Sequence, residues 1–222
     1  MNREHADVLL TDGTVASIRP VSADDGAALI ALHDQAGPDS VRMRFFSASR
    51  VAGHQYVSHV LESPDTISLV AERHGDVVAL GTAEPLDSGD AEIAFLVADD
   101  SHGLGIGSLL LEHLAAAGRE RGIRRFTAEV LSENGPMLEV LRHAGFEVSH
   151  HTEAGCVLVE MDTGASYEAL RAADERECLA EARLARDREE RISRDHEERA
   201  HPTRAGRQDR VGEEIPRQRA AY

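Results

Sequence analysis

Val97-Ala98-Asp99-Asp100-Ser101-His102-Gly103-Leu104-Gly105-Ile106-Gly107-Ser108 sets three glycines at alternate positions between a strand pattern and a helix pattern. Without a Cβ, the backbone at such positions comes close to a ligand and takes up positive φ. The helix that follows offers unpaired N–H groups and the positive end of its dipole. Together these features suit a pyrophosphate. A glycine-rich turn alone is a weak signal, so its surroundings must narrow it. A Walker loop needs Gly-Lys-Ser or Gly-Lys-Thr, and the chain has no lysine. A dinucleotide-binding turn follows the first strand of a βαβ unit, with an acidic residue about 20 positions on. Here the turn follows a run of four strand patterns, and Glu120 lies 13 residues beyond Gly107, within a helix.

Upstream of the turn, Ala91-Glu92-Ile93-Ala94-Phe95-Leu96-Val97 reads as a strand, with Glu92 and Ala94 on one face and Ile93, Phe95 and Val97 on the other. Strands are also expected near 14–19, 67–73 and 76–84, the last two joined by His74-Gly75-Asp76 as a hairpin turn. Ser22 resembles a helix N-cap, with Asp24 and Asp25 suited to the first turn of a helix running to about His33. A short helix starts at Pro38-Asp39-Ser40 and carries Arg44-Phe45-Phe46, and another covers about 53–62. Downstream, Leu109 to Leu114 is amphipathic and helical, ending near Gly118–Gly122. A strand at 124–130, a helix at 134–143 stopped by Gly145, and strands at 146–149 and 155–161 complete the pattern.

The whole chain has 222 residues, of which 41% are apolar, enough for a buried core. No apolar run is long enough to span a membrane, and no apolar signal core follows the N-terminus, so a soluble cytoplasmic protein is expected. Cys156 and Cys178 form no disulfide framework and no four-thiolate zinc site. A net charge of −16 argues against binding to nucleic acid phosphates. All 24 basic residues are arginine, which fits a GC-rich genome. It also fits an enzyme that handles reactive acyl groups near lysines and carries none of its own.

Charge divides the chain. Residues 1–163 hold 11 Arg and 26 acids, whereas 164–222 hold 13 Arg and 14 acids. The expected division is a folded domain at 1–163 and a charged, helical and partly disordered tail at 164–222. Acid-to-arginine pairs four apart, such as Asp187 with Arg191 and Glu190 with Arg194, support a solvated helix there. Leu170, Leu179 and Leu184 are candidates to dock that helix on the domain.

The stretch Val97 to Ser108 resembles the acetyl-CoA signature of the GNAT N-acetyltransferase superfamily: Gln or Arg, two residues, Gly, one residue, then Gly or Ala. Asn134, Met137, Leu141 and Gly145-Phe146 are similar to the family's second motif. Ile18-Arg19-Pro20, Asp24 and Arg44-Phe45-Phe46 resemble the acetyltransferase module of bacterial Pat-type protein lysine acetyltransferases, many of which are fused to an acyl-CoA synthetase-like region. The likeness covers about residues 6–162. It implies an α/β (α+β) fold with a mixed, mostly antiparallel central sheet flanked by helices. It implies acetyl-CoA as acetyl donor, no metal, and a protein lysine as acceptor, with an acyl-CoA synthetase among the targets. Departures from the pattern are His102 in place of Gln or Arg, and Leu141 where many members have a tyrosine that protonates the thiolate.

By the same resemblance, Glu92 is the general base that takes the proton from the amine. Backbone groups of Phe95, Leu96 and Val97 hold the pantetheine arm, with a Val97 N–H polarising the thioester carbonyl. The loop from His102 through Gly103, Leu104, Gly105, Ile106, Gly107 and Ser108 takes the pyrophosphate. Asn134 contacts the arm or caps its own helix. Other residues read more plainly. His150 and His151 point to opposite faces of a strand, which speaks against a metal site with Cys156. His54 and His59 line a surface or the substrate side, and Arg44-Phe45-Phe46 reads mainly as packing. Two rival functions stand beside protein lysine acetylation: transfer to a small amine such as a polyamine or antibiotic, and a CoA-binding regulator without catalysis.

Overall fold

A computed structural model describes residues 5–47, 49–143, 148–153, 155–164 and 167–200. Among these, eight strands form one sheet: β1 (Ala6–Leu9), β2 (Val15–Pro20), β3 (Ile67–Arg73), β4 (Asp76–Pro85), β5 (Ala91–Val97), β6 (Arg125–Leu131), β7 (Val148–Glu153) and β8 (Cys156–Asp162). The order across the sheet is β1-β2-β3-β4-β5-β6-β8-β7. All neighbours are antiparallel except β5 and β6, which are parallel. The expected mixed, mostly antiparallel sheet is therefore present.

Six helices accompany it: α1 (Gly26–Gln35), α2 (Pro38–Phe45), α3 (Arg50–Glu62), α4 (Ile106–Glu120), α5 (Gly135–His143) and α6 (Tyr167–Ala200). They are sorted by the alternation of the strands. Ile67, Leu69, Ala71, Ala79, Ala83, Ala91 and Ile93 project to one face and pack with Leu109, Leu110, Leu111 and Leu114 of α4 and Leu141 of α5. Val70, Leu80 and Leu96 project to the other and pack with α1, α2 and α3 through Leu29, Leu32, Val41 and Val57. Two cores thus lie on opposite sides of one sheet, and residues alternate between them with period two.

The structure adds and adjusts details. β1 was not anticipated; it pairs with β2 from Ala6↔Ile18 to Leu9↔Val15. Ser22 caps a single 3-10 turn, Ala23–Asp25, that leads into α1. The α3 helix starts at Arg50 rather than 53, and α4 starts at Ile106, three residues before the apolar run. His74 and Gly75 both have positive φ, +57° and +93°, as a two-residue hairpin turn requires. Gly145 and Phe146, and the tail beyond 200 with Pro202 and Pro216, lie outside the described residues.

The chain divides into two compact units, Met1–Leu184 and Ala185–Tyr222. Within the first unit, Arg176 of α6 pairs with Glu112 of α4, and Glu177 lies 3.7 Å from His113. Ala180 is fully buried, whereas Leu179, expected to dock, is 48% exposed. Leu184, one helical turn beyond Ala180, is half-buried, so it shares the buried side that Leu179 leaves. The side chain of Leu170 lies outside the described residues.

One buried residue makes stability pH-dependent. His33 of α1 is buried under Phe45, with ring centroids 5.8 Å apart. Its Nδ1 donates to the Leu29 carbonyl at 2.7 Å, while Nε2 is buried and has no partner among the described residues. Burial, and then the positive charge of Arg44, push its pKa below the usual 6.5. In the window below 6.5 the unfolded chain binds the extra proton and the folded chain resists it. The contribution of His33 is therefore complete above that value and is lost as pH falls through the lowered pKa. Denaturant melts between pH 7.5 and 5 should show falling midpoints, and His33→Met should flatten that slope.

Candidate active site

The sheet opens at one place. β5 pairs with β4 along all its length, from Pro85↔Ala91 to Ala79↔Val97. Its other edge pairs with β6 only at Ala91↔Phe126 and Glu92↔Thr127. From Ile93 onward β5 and β6 diverge, leaving a cleft between two strands of one sheet. The N–H of Ala98, just past β5, donates to the carbonyl of Val78 in β4. Strand N–H groups alternate in direction, so those of Val97 and Phe95 point to the opposite, open edge. Phe95 and Val97 turn their side chains into the α4-side core, so only their backbone borders the cleft.

The glycine turn closes one end of this cleft. Gly103 and Gly105 have φ of +76° and +84°, a region that L side chains avoid. Gly107 is helical, and an added Cβ would meet Val140 at an ordinary 3.6 Å, so it has no such requirement. Gly105 is the N-cap of α4 without any side-chain cap. The Gly105 carbonyl accepts from the Leu109 N–H at 3.2 Å, closing the first turn of the helix. The N–H groups of Ile106, Gly107 and Ser108 therefore occupy the helix start, where no preceding turn accepts them. This is the local geometry that an anionic diphosphate needs. Leu104 is half-buried, and its carbonyl accepts from Thr11 N–H at 3.3 Å. Thr11 Oγ1 donates to the Gly103 carbonyl at 3.1 Å. The β1–β2 hairpin thus holds the loop from behind, a tie invisible in the sequence because the partners are 92 residues apart.

His102 has a specific place. Its Nε2 lies 3.0 Å from the Val97 carbonyl, which accepts, so the proton sits on Nε2. That carbonyl lies on the open edge of β5, and His102 satisfies it while leaving the Val97 N–H available. Asn134 caps α5: its Oδ1 accepts from Met137 N–H at 3.2 Å, and its own carbonyl accepts from Leu138 N–H. Leu141 is 1% exposed and packed in the core, and its hydrocarbon side chain has no acidic proton to give.

Glu92 is exposed on the face that carries α1, α2 and α3, in the last row before β5 and β6 part. Its row neighbours are Glu84 of β4 and Thr127 of β6. Sequence reasoning missed what surrounds Glu84. The Tyr56 hydroxyl donates to Glu84 Oε1 at 2.7 Å, and His59 Nε2 lies 3.3 Å from Oε2. Tyr56 also meets Thr82 Oγ1 at 2.7 Å. Burial pushes the Tyr56 phenol up to about 12, so it donates at neutral pH. The guanidinium of Arg44 stacks over Tyr56 at 4.4 Å and over Phe45 at 4.9 Å. Phe45 packs against the second core, and Phe46, at positive φ of 54°, ends α2. His54 pairs instead with Asp34 at 2.8 Å. Arg42 of α2 pairs with Glu133 beside Asn134, linking the two sides of the opening. Among the described residues, no three potential metal ligands come together, and no helix is long and apolar enough to cross a membrane.

Comparison with known proteins agrees with this geometry. Residues 38–146 match the model of the acetyltransferase (GNAT) family. Acetyltransferase Pat of Mycolicibacterium smegmatis is 39% identical over 72 residues, which are 32% of this chain and 21% of that protein. The match therefore spans about a fifth of that relative's length. The GNAT domain of S. lividans PAT superposes with a TM-score of 0.68 at 36% identity, covering 73% of this chain and 98% of that one. A ribosomal-protein-alanine N-acetyltransferase from Brucella melitensis superposes with a TM-score of 0.52 at 25% identity, covering 65% of this chain and 97% of that one.

Proposed function

From the premise that the chain belongs to the GNAT family of acetyl-CoA-dependent N-acetyltransferases, we propose that it transfers the acetyl group to a protein lysine side chain, with Glu92 as general base. The observation that carries this reading is the divergence of β5 from β6 immediately after Glu92. It sets a carboxylate at the apex of a cleft whose far end is the α4 N-terminus. The diphosphate of the donor binds the N–H groups between Gly103 and Ser108, and its pantetheine arm lies along the open edge of Phe95, Leu96 and Val97. Asn134 flanks the arm at the start of α5.

A lysine ammonium has a pKa of about 10.4 and is almost fully protonated at neutral pH. Glu92 takes one proton, directly or through a water. The freed nitrogen attacks the thioester carbonyl carbon; the C–N bond forms, the nitrogen gives up its second proton to solvent, the C–S bond breaks, and CoA leaves as a thiolate. The Val97 N–H stabilises the oxyanion between these events. Leu141 supplies no acid, so solvent protonates the thiolate.

The likeness to the Pat proteins supports a protein acceptor, and an acyl-CoA synthetase is the first target to try. The test mixes the protein with acetyl-CoA, a panel of proteins including acyl-CoA synthetases, and a panel of small amines. Acetyl-lysine is then read by mass spectrometry. Because the chain has no lysine, every acetyl-lysine detected belongs to the acceptor. Acetylation confined to small amines would replace the protein acceptor. Tight acetyl-CoA binding with no thiol release would make the protein a CoA-binding regulator.

A further inference from the structure

The second carboxylate of the Glu92 row has no part in the chemistry described so far. Glu84 and Glu92 are direct partners in the β4–β5 ladder. Such partners share a face with Cβ atoms about 4.5–5.5 Å apart, and like charges there repel. Glu84 is nevertheless held in place. Tyr56 grips Oε1 and His59 lies against Oε2, both from α3. Tyr56 is itself fixed by Thr82 and by the Arg44 guanidinium stacked on its ring. Glu84 keeps 34% of its side chain exposed, at the edge where Glu92 is also exposed.

The neighbouring arginines have other partners. Arg44 lies over the Tyr56 and Phe45 rings. Arg125, at the closed end of the row, pairs with Asp90 and faces Glu160 at 3.8 Å. A fixed carboxylate beside an exposed one is complementary to a primary ammonium, a compact cation with several N–H donors.

Resting on the reading of Glu92 as base, we propose that Glu84 is the acceptor-anchoring group of this site. It receives the ammonium of the incoming amine next to Glu92 and so selects acceptors that are cationic at neutral pH. The two carboxylates divide the work: one, clamped by α3, holds the charge in place; the other, unclamped, takes the proton. Tyr56 and His59 are positioning residues that act through Glu84.

Glu84→Gln keeps the shape and removes the charge. The expected result is a KM for a lysine-containing decapeptide raised about tenfold, with a much smaller change in kcat. The affinity for acetyl-CoA and the melting temperature should stay as in the parent. An aryl amine, uncharged at neutral pH, should be acetylated equally well by both proteins. Tyr56→Phe, which loosens the clamp, should raise the peptide KM by a smaller factor. Equal losses on peptide and aryl amine would mean that Glu84 only braces α3 against β4, and would overturn the proposal. A binding arm separates this outcome from failure of the Glu92 reading. The decapeptide is titrated calorimetrically into the CoA-loaded parent and Glu84→Gln proteins. Tenfold weaker binding to the variant supports the anchor even if turnover is absent, and equal binding refutes it even if Glu92 proves to be the base.

Discussion

Glu92→Gln is expected to lower kcat for acetyl transfer by about 10²–10⁴-fold, the range for loss of a positioned general base. Donor affinity should be unchanged. The glutamine keeps the side-chain volume and lies on the face opposite Ile93, Phe95 and Val97, so neither the core nor the open edge of β5 is disturbed. Stopped-flow thiol release and calorimetry with acetyl-CoA measure the two quantities separately. Loss should be greatest near neutral pH and shrink as rising pH frees the amine without help. A variant with full activity at neutral pH would remove Glu92 from the mechanism. A variant that lost both binding and turnover would point to a structural effect.

The second large effect concerns stability. Arg19→Ala should lower it by about 3 kcal/mol, a fall in Tm of roughly 6–12 °C for a chain of this size. Arg19 of β2 makes a bidentate pair with Asp25, both contacts at 2.7 Å, and reaches Glu72 of β3 at 2.6 Å. Asp25 also accepts the Ser22 N–H at 2.6 Å, closing the turn that starts α1. One guanidinium thus fixes the entry of α1 against two strands. Its removal leaves the Asp25 side chain, only 8% exposed, without its cation. The Arg19 pair, then burial acting against it, and the Ser22 amide set the Asp25 pKa at about 2 against an ordinary 3.8. A lowered carboxyl pKa contributes stability that is complete above 3.8 and is lost as pH falls through about 2. The parent should therefore lose stability over that acid range, and Asp25→Asn should lose less across it. Thermal melts of both proteins check this.

What could be read from residues alone followed the range of the forces involved. The glycine turn was legible because positive φ at Gly103 and Gly105 is a local demand. The outward setting of Glu92 was legible because strand alternation is local too. Asn134 was legible as a cap three residues before the N–H that it accepts. By contrast, β1 is only four residues long and carries Asp7 among its apolar positions, so its pattern is too short to stand out. The clamp on Glu84 joins α3 to β4 across 25 and 28 residues, and no spacing rule brings those side chains together. Glu84 itself had one signal: counting the β4–β5 hairpin back from its Leu86–Asp90 connection sets it opposite Glu92. In α6, charge spacing indicated a helix, but Leu179 pointed to the wrong side, because Ala180, the half-buried Leu184 and the Arg176–Glu112 pair lie on the other.

The parallel seam between β5 and β6 consists of two residue pairs. An eight-stranded sheet joined so briefly behaves as two leaves stitched at one corner. Beyond the stitch they are kept together by α4 and α5, which touch each other across the back. On the proposed reading, the arriving thioester is a missing rung. Amide hydrogens along the free margins should exchange quickly with solvent in the empty protein and slowly once the donor is lodged. The gain in rigidity should reach β8 and β7, which pair outward from β6.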